Sequence, residues 1–225
     1  MVSVPKAKYE RYTDYVIRDG RLIGEFEEMY RDFEDPWHQT TRERFTSEKA
    51  IAINLIARLK HEFGVLRVVE LGCGLGHFSA RIADLGLEVT GLDVAETAIA
   101  KARAAHPEIP FAVARFNDFD RLRELSPDVI VMAEVTWYVL DYLRDFVSFA
   151  RQELPDCFLM HSLMTYPPGI QEYGTDFFTD LDGILEFFGM RVLESGEVRL
   201  PVGGRRTYFL GCWNANIEAR WLAAP

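Results

Sequence analysis

The sequence predicts an α/β fold, a doubly wound and mostly parallel sheet with helices on both faces. Three observations point there. Five short apolar runs alternate with helical segments from residue 65 onward, which is the pattern of a parallel sheet with crossover helices. The first run ends in a glycine-rich turn that opens a helix. The chain closes with two strand-like runs joined by a Pro- and Gly-containing turn, which predicts an antiparallel hairpin at one edge.

The elements follow in order. Leu66 to Leu71 is the first run, and a helix over Phe78 to Leu85 follows it. Glu88 to Leu92 is the next strand, ending at Asp93. A helix over Ala95 to Ala105 is stopped by Pro107. Phe111 to Phe116 and Asp128 to Met132 read as strands, with the charge run Asp118 to Glu124 between them as a solvated loop. Asp141 to Leu154 has the spacing of an amphipathic helix, with Leu143, Phe146, Val147, Ala150 and Leu154 inward. Phe158 to Leu163 is the fifth strand. Phe177 to Phe188 is helical and ends at Gly189. Arg191 to Leu200 and Arg206 to Trp213 form the closing hairpin.

Residues 1–63 read as a helical cap. Tyr9, Tyr12 and Val16 fall on one helical face, and Asp19-Gly20 marks a turn. Phe26, Met29, Tyr30 and Phe33 form a second stripe, which Pro36 ends. A third helix starts near Thr46 or Ser47, with Ile51, Leu55, Leu59 and Phe63 inward and Gly64 closing it. We expect one domain over 1–225, made of the cap (1–63), a core (64–214) and a tail (215–225).

Composition bounds the function. Of 225 residues, 48% are apolar and 27% charged, a globular balance, and the formal net charge of −10 disfavours nucleic acid and anionic membranes. Arg205-Arg206 is the densest basic spot. Three cysteines, Cys73, Cys157 and Cys212, without a C-x-x-C pattern, argue against a disulfide framework and a structural zinc site. Met1 to Glu10 is polar, and no run approaches the ~18 apolar residues that span a bilayer. The expected setting is the cytoplasm, the expected partner a small molecule, and no metal is expected.

The segment that carries chemistry is Val68-Val69-Glu70-Leu71-Gly72-Cys73-Gly74-Leu75-Gly76, a buried strand running into a G-x-G-x-G turn. Glycines there let a backbone approach a ligand closely. Asp93 ends the following strand, 17 residues after Gly76. An acid at that place can accept hydrogen bonds from both hydroxyls of a ribose. A nicotinamide site would ask for G-x-G-x-x-G. Counted from Gly72 the last position is His77, and counted from Gly74 it is Ser79.

Glu70 to Gly76 resembles the first signature motif of the class I methyltransferases, and the resemblance extends over roughly residues 65–214, including the reversed last strand. It implies a Rossmann-like, seven-stranded sheet and S-adenosylmethionine as cofactor, with S-adenosylhomocysteine as product. Carried over residue by residue, it implies that Glu70, Gly72, Cys73, Gly74 and Gly76 line the methionine half and that Asp93, with Val94, holds the ribose side. It implies that backbone at Ala133 and Glu134 faces the amino acid end. Trp137, Tyr138 and Leu140 resemble the continuation seen in small-molecule enzymes, including nodulation-type N-methyltransferases that act on amino sugars, and the upstream Asp35-Pro36-Trp37 is similar to that group as well. Where the family often places an acid for the adenine, spacing puts Arg115, so Phe116, Asn117 or Asp118 serve instead. Leu154-Pro155-Asp156 replaces the usual Pro-Gly-Gly before the fifth strand.

The implied acceptor is a nitrogen or oxygen of a small, polar or sugar-like molecule. Trp37, His38, Trp137, Tyr138 and Tyr166 are the candidate acceptor wall, with Tyr173 beside them. His161, in the fifth strand, is either a general base or a core histidine. Cys73 reads as a small turn residue more readily than as a nucleophile, and His77 as a first-turn polar residue. Two other classes fit less well: a non-catalytic S-adenosylmethionine-binding module, and a nicotinamide-dependent oxidoreductase.

Overall fold

The computed structural model describes residues 7–42, 46–167, 169–201 and 203–223. Strands β3 (Arg67–Leu71), β4 (Glu88–Asp93), β5 (Phe111–Val113), β6 (Val129–Ala133) and β7 (Phe158–Thr165) run parallel, and β8 (Arg191–Arg199) and β9 (Arg205–Cys212) complete a seven-stranded sheet. The strand order is β5-β4-β3-β6-β7-β9-β8, with β9 antiparallel to both neighbours. The order reverses between β3 and β6. A crevice opens at the carboxyl ends of strands at such a reversal.

Alternation along each strand feeds two cores. Val68, Val89, Val129 and Met160 face one way, against α2 (Ser47–Phe63), α3 (His77–Ala83), α4 (Glu96–Ala105) and α8 (Ala215–Ala223). Val69, Leu92, Ile130 and Leu159 face the other, against α5 (Phe119–Leu125), α6 (Leu140–Glu153) and α7 (Leu181–Phe188). Both faces are covered, so the parallel strands are mainly apolar. Helix α2 buries Ala52, Leu55, Ile56 and Leu59 in the first core, with Ile51 and Phe63 half-buried beside them. Gly64 closes α2 at φ 69°, a left-handed cap that a Cβ would disfavour. Helix α8, in the segment expected as a tail, buries Trp221 against Phe63.

Two expectations are corrected. The stretch around Tyr9 to Val16 is not a regular α-helix: a 3-10 turn over Tyr12–Tyr15 leads into a two-residue hairpin, β1 (Ile17–Arg18) and β2 (Arg21–Leu22). Asp19 and Gly20 both have positive φ, 52° and 68°, the geometry whose twist matches paired strands. Asp-Gly is therefore a hairpin signal here, not a turn between helices. Asp118 to Glu124 is not a loop but the start of α5, capped by Asp118 Oδ1, which accepts from Arg121 N at 3.2 Å, with Leu122 buried. In a seven-residue helix one buried leucine gives no readable period.

Helix α1 (Phe26–Asp32) and the chain to residue 42 lie over the cleft end of the sheet. Tyr15, Val16, Met29 and Tyr30 pack with Leu75, Ala95 and Ala98 of the core. Lys101 fastens this cap, donating to the carbonyls of Tyr30 and Phe33 at 2.9 and 3.0 Å. Glu27 accepts from Thr97 N at 3.0 Å.

Candidate active site

A cleft of about 570 Å³ opens at the carboxyl ends of β3, β4 and β6, within the usual range for small-molecule pockets. Gly72, Asp93, Val94, Phe116, Asn117, Ala133, Glu134, Tyr138, Tyr166 and Trp37 all line it. These residues come from six separate stretches of chain, which the parallel sheet brings to one edge.

Asp93 is only 8% exposed. Its Oδ2 accepts from Gly74 N at 2.9 Å and its Oδ1 from Ala95 N at 3.0 Å. Each oxygen has lone-pair capacity beyond that one bond. Burial raises its pKa, and the backbone N–H donors oppose that rise. A carboxylate so fixed suits a vicinal diol. Val94, half exposed, flanks it on the cleft side.

The glycine turn is placed differently from its resemblance-based reading. Gly72 lines the cleft, but Glu70, Cys73, Gly74 and Gly76 lie behind it. A Cβ on Gly74 would stand 2.6 Å from the Tyr30 hydroxyl and 2.7 Å from Gln39 Nε2, so this glycine admits the cap. Glu70 is buried, with its carboxylate accepting from the Ser79 hydroxyl. Burial pushes its pKa up to about 7, against the pull of Ser79 and Lys49. Cys73 is fully buried, and burial raises its thiol well above the ordinary value, which suits packing and not nucleophilic attack.

Several further predicted residues do not reach the cleft. His161 is wholly buried, stacked on Phe209 at 4.8 Å, with its Nε2 2.7 Å from Thr136 Oγ1. Burial drives its pKa down to about 3. The core-histidine alternative is what the structure presents. Its position in β7 pairs with Met132, whose side chain belongs to the same core. Trp137 packs on Phe178 at 5.2 Å and donates its indole N–H to the Met164 carbonyl at 2.8 Å, away from the opening. His38 is exposed, edge-on to Tyr12. Asp118 is engaged in capping α5. Tyr173 is half-buried at the margin of the second core.

Other lining residues carry no local motif. Tyr30, Gln39, Lys49, Arg115, Met164 and Arg206 join the wall from distant parts of the chain. Gln39 Oε1 accepts from Leu75 N at 2.8 Å. Arg206, on β9, pairs with the wholly buried Glu48 of α2 at 2.8 Å. Trp37, Phe26 and Tyr138 form an aromatic wall, with ring separations to Tyr138 of 5.6 and 5.5 Å.

Glu134 lines the cleft in a constrained conformation. Its φ is 62°, uncommon for a side-chain-bearing residue and worth on the order of 1–3 kcal/mol of strain. It is clamped to β7 twice: its N–H donates to Ser162 O at 2.9 Å, and its Oε2 accepts from Met164 N at 2.8 Å. Its Oε1 is buried without a hydrogen-bond partner.

Comparison with known proteins accords with this architecture. Residues 69–155 match the methyltransferase domain family. A protein named "Probable S-adenosylmethionine-dependent methyltransferase" from Mycolicibacterium smegmatis is 33% identical over 96 residues, 42% of this chain and 35% of that one. Trans-aconitate 2-methyltransferase from Acidovorax ebreus is 31% identical over 105 residues, 45% of this chain and 40% of that one. The matches thus span well under half the length of these curated relatives. Magnesium protoporphyrin IX methyltransferase from Synechocystis PCC 6803, solved with bound SAH, superposes with TM-score 0.51 at 17% identity, over 73% of this chain and 83% of that one. TehB from Haemophilus influenzae gives TM-score 0.54 at 16% identity, over 80% and 67% of the two chains. At such identities these two structures speak for the fold. Residues 69–155 are thus similar to the methyltransferase domain family, and the fold is the Rossmann-like one of these methyltransferase structures. Among the described residues no helix is long and apolar enough to cross a membrane, and no cluster of His, Cys, Asp and Glu could hold a metal.

Proposed function

We propose that this protein transfers a methyl group from S-adenosylmethionine to a nitrogen or oxygen of a small polar molecule in the cytoplasm. The observation that carries the reading is Asp93, a buried carboxylate fixed by two backbone N–H groups on the wall of a cleft at the sheet's reversal point. In this reading Asp93 takes the ribose hydroxyls. Phe116 and Asn117, with Arg115 beside them, border the adenine. Gly72 and the backbone of Ala133 and Glu134 receive the methionine part, and Trp37, Tyr138 and Tyr166 border the acceptor.

The cofactor supplies an already activated methyl on a sulfonium, so the difficult chemistry belongs to it. The chain's own task is alignment and the exclusion of water. Alignment of reacting groups is worth roughly 7–11 kcal/mol at its limit. The cap contributes the outer wall through Phe26, Trp37 and Gln39. Relatives named for different acceptors leave the acceptor to be found by experiment. The test is to incubate the protein with S-adenosylmethionine and a panel of amines, alcohols, sugars and acids, and to detect S-adenosylhomocysteine by mass spectrometry. Acceptor-dependent product supports the reading. Binding of the cofactor with no product across every acceptor class would favour a non-catalytic binding module.

A further inference from the structure

We propose that the Glu134 side chain receives the acceptor's own N–H or O–H at the point of methyl transfer, so that the acceptor is a protic nucleophile, an amine or an alcohol, and not a carboxylate. This rests on the methyltransferase reading above.

The first support is an unmet acceptor. Glu134 Oε1 has no hydrogen-bond partner in the folded chain, while Oε2 is already taken by Met164 N. Buried acceptors are ordinarily satisfied, so one left unpaired in a residue that lines the cleft calls for a donor from outside the chain. The second is backbone strain at the same residue, maintained by two bonds to β7. Strain held in place this way marks a side chain whose direction matters. The third is charge. Glu48 and Glu134 stand against Lys49 and Arg206, and Arg206 is already paired with Glu48 at 2.8 Å. These four formal charges balance, and Arg42 lies at the exposed rim. A carboxylate acceptor would add an anion beside the Glu134 oxygen.

Burial pushes the Glu134 carboxyl up to about 7, Met164 N opposing the rise, Glu48 adding to it, and Arg206 and Lys49 opposing it. A group of that strength suits proton transfer at neutral pH. In the step, the acceptor's lone pair forms the bond to the methyl carbon. The carbon–sulfur bond breaks with its electron pair remaining on sulfur. The acceptor's proton passes to Glu134 Oε1 and from there to water. Glu134 lies on β6's carboxyl end, between the glycine turn of β3 and the Met164–Arg206 pair of β7 and β9. Its carboxylate is bonded toward β7, on the side of β6 away from β3 and β4.

The test needs no knowledge of the acceptor. Sinefungin is a cofactor analogue whose primary amine stands where the transferred methyl would be, whereas S-adenosylhomocysteine has nothing there. Titration calorimetry of both ligands is compared in the wild type, Glu134→Gln and Glu134→Asn. Asn tolerates positive φ, so one variant keeps the backbone conformation at ease. The wild type is expected to bind sinefungin at least tenfold tighter than S-adenosylhomocysteine. Both variants are expected to bring that ratio near one while S-adenosylhomocysteine affinity stays within about twofold. An unchanged ratio in the folded variants overturns the proposal. So does an equal loss for both ligands, which would assign the carboxyl to the cofactor's own ammonium. Failure of the wild type to bind either ligand would overturn the methyltransferase reading itself.

Discussion

Gln39 Oε1 accepts the amide proton of Leu75 at 2.8 Å, so a cap side chain closes the glycine turn of the core. The cap and the glycine turn therefore share a bond, and a change in one reaches the other. Gln39→Ala should weaken S-adenosylhomocysteine binding several-fold, since one such bond contributes about 0.5–1.5 kcal/mol. The melting temperature should move little, because Lys101 and Glu27 still fasten the cap. Calorimetry on the variant reads this directly. Unaltered affinity would mean that the cap closes without bearing on the cofactor.

Gly74→Ala probes the same junction from the core side. The added Cβ would meet Tyr30 and Gln39 within 2.7 Å, at a residue whose φ is 55°. The cap should lift and the chain between residues 7 and 42 should become more sensitive to limited proteolysis. Equal cleavage rates in the variant and the wild type would contradict the packing described here.

His161 governs part of the acid stability. Its pKa is lowered by burial to about 3, against about 6.5 for an unfolded histidine. Between those values the unfolded chain binds one more proton, so stability rises with pH across the window and is lost as pH falls through it. Acidification from pH 6.5 to 5 should remove about 2 kcal/mol through this residue alone. Glu70 and Glu134, raised to about 7, act in the opposite sense above their ordinary pKa, because there the folded chain binds more protons. They are common to wild type and His161→Gln. The difference between the two denaturation series therefore isolates His161, and the variant should lose less stability on acidification. Parallel losses would show the imidazole to be solvated. Loss of a kcat limb in the variant would restore His161 to the chemistry.

The sheet was legible in the sequence because its strands are buried on both faces and separated by long amphipathic helices such as α6. The β3–β4 side of the cleft was legible through local pattern: a glycine turn after a strand, then an acid at the end of the next strand. The opposite wall was not. Met164 and Arg206 meet through the pairing of β7 with β9, and Lys49 joins them from α2; no local spacing brings these three together. His161 and Trp137 illustrate a second limit. Both lie near the right strand ends, but side-chain direction decides their role. The alternation that aims Met160 at one core turns His161 into the other. Glu134 shows a third limit, since its positive φ belongs to tertiary constraint and not to residue type.

The cofactor assignment converges on Asp93, and calorimetry of S-adenosylhomocysteine against wild type and Asp93→Ala tests it most directly. Loss of hydrogen bonds to a charged group is worth about 1.5–3 kcal/mol, so the account predicts binding to the wild type and at least tenfold weaker binding to the folded variant. NAD should not bind either. Undiminished affinity in folded Asp93→Ala, or a wild type that binds NAD and not S-adenosylhomocysteine, would contradict it.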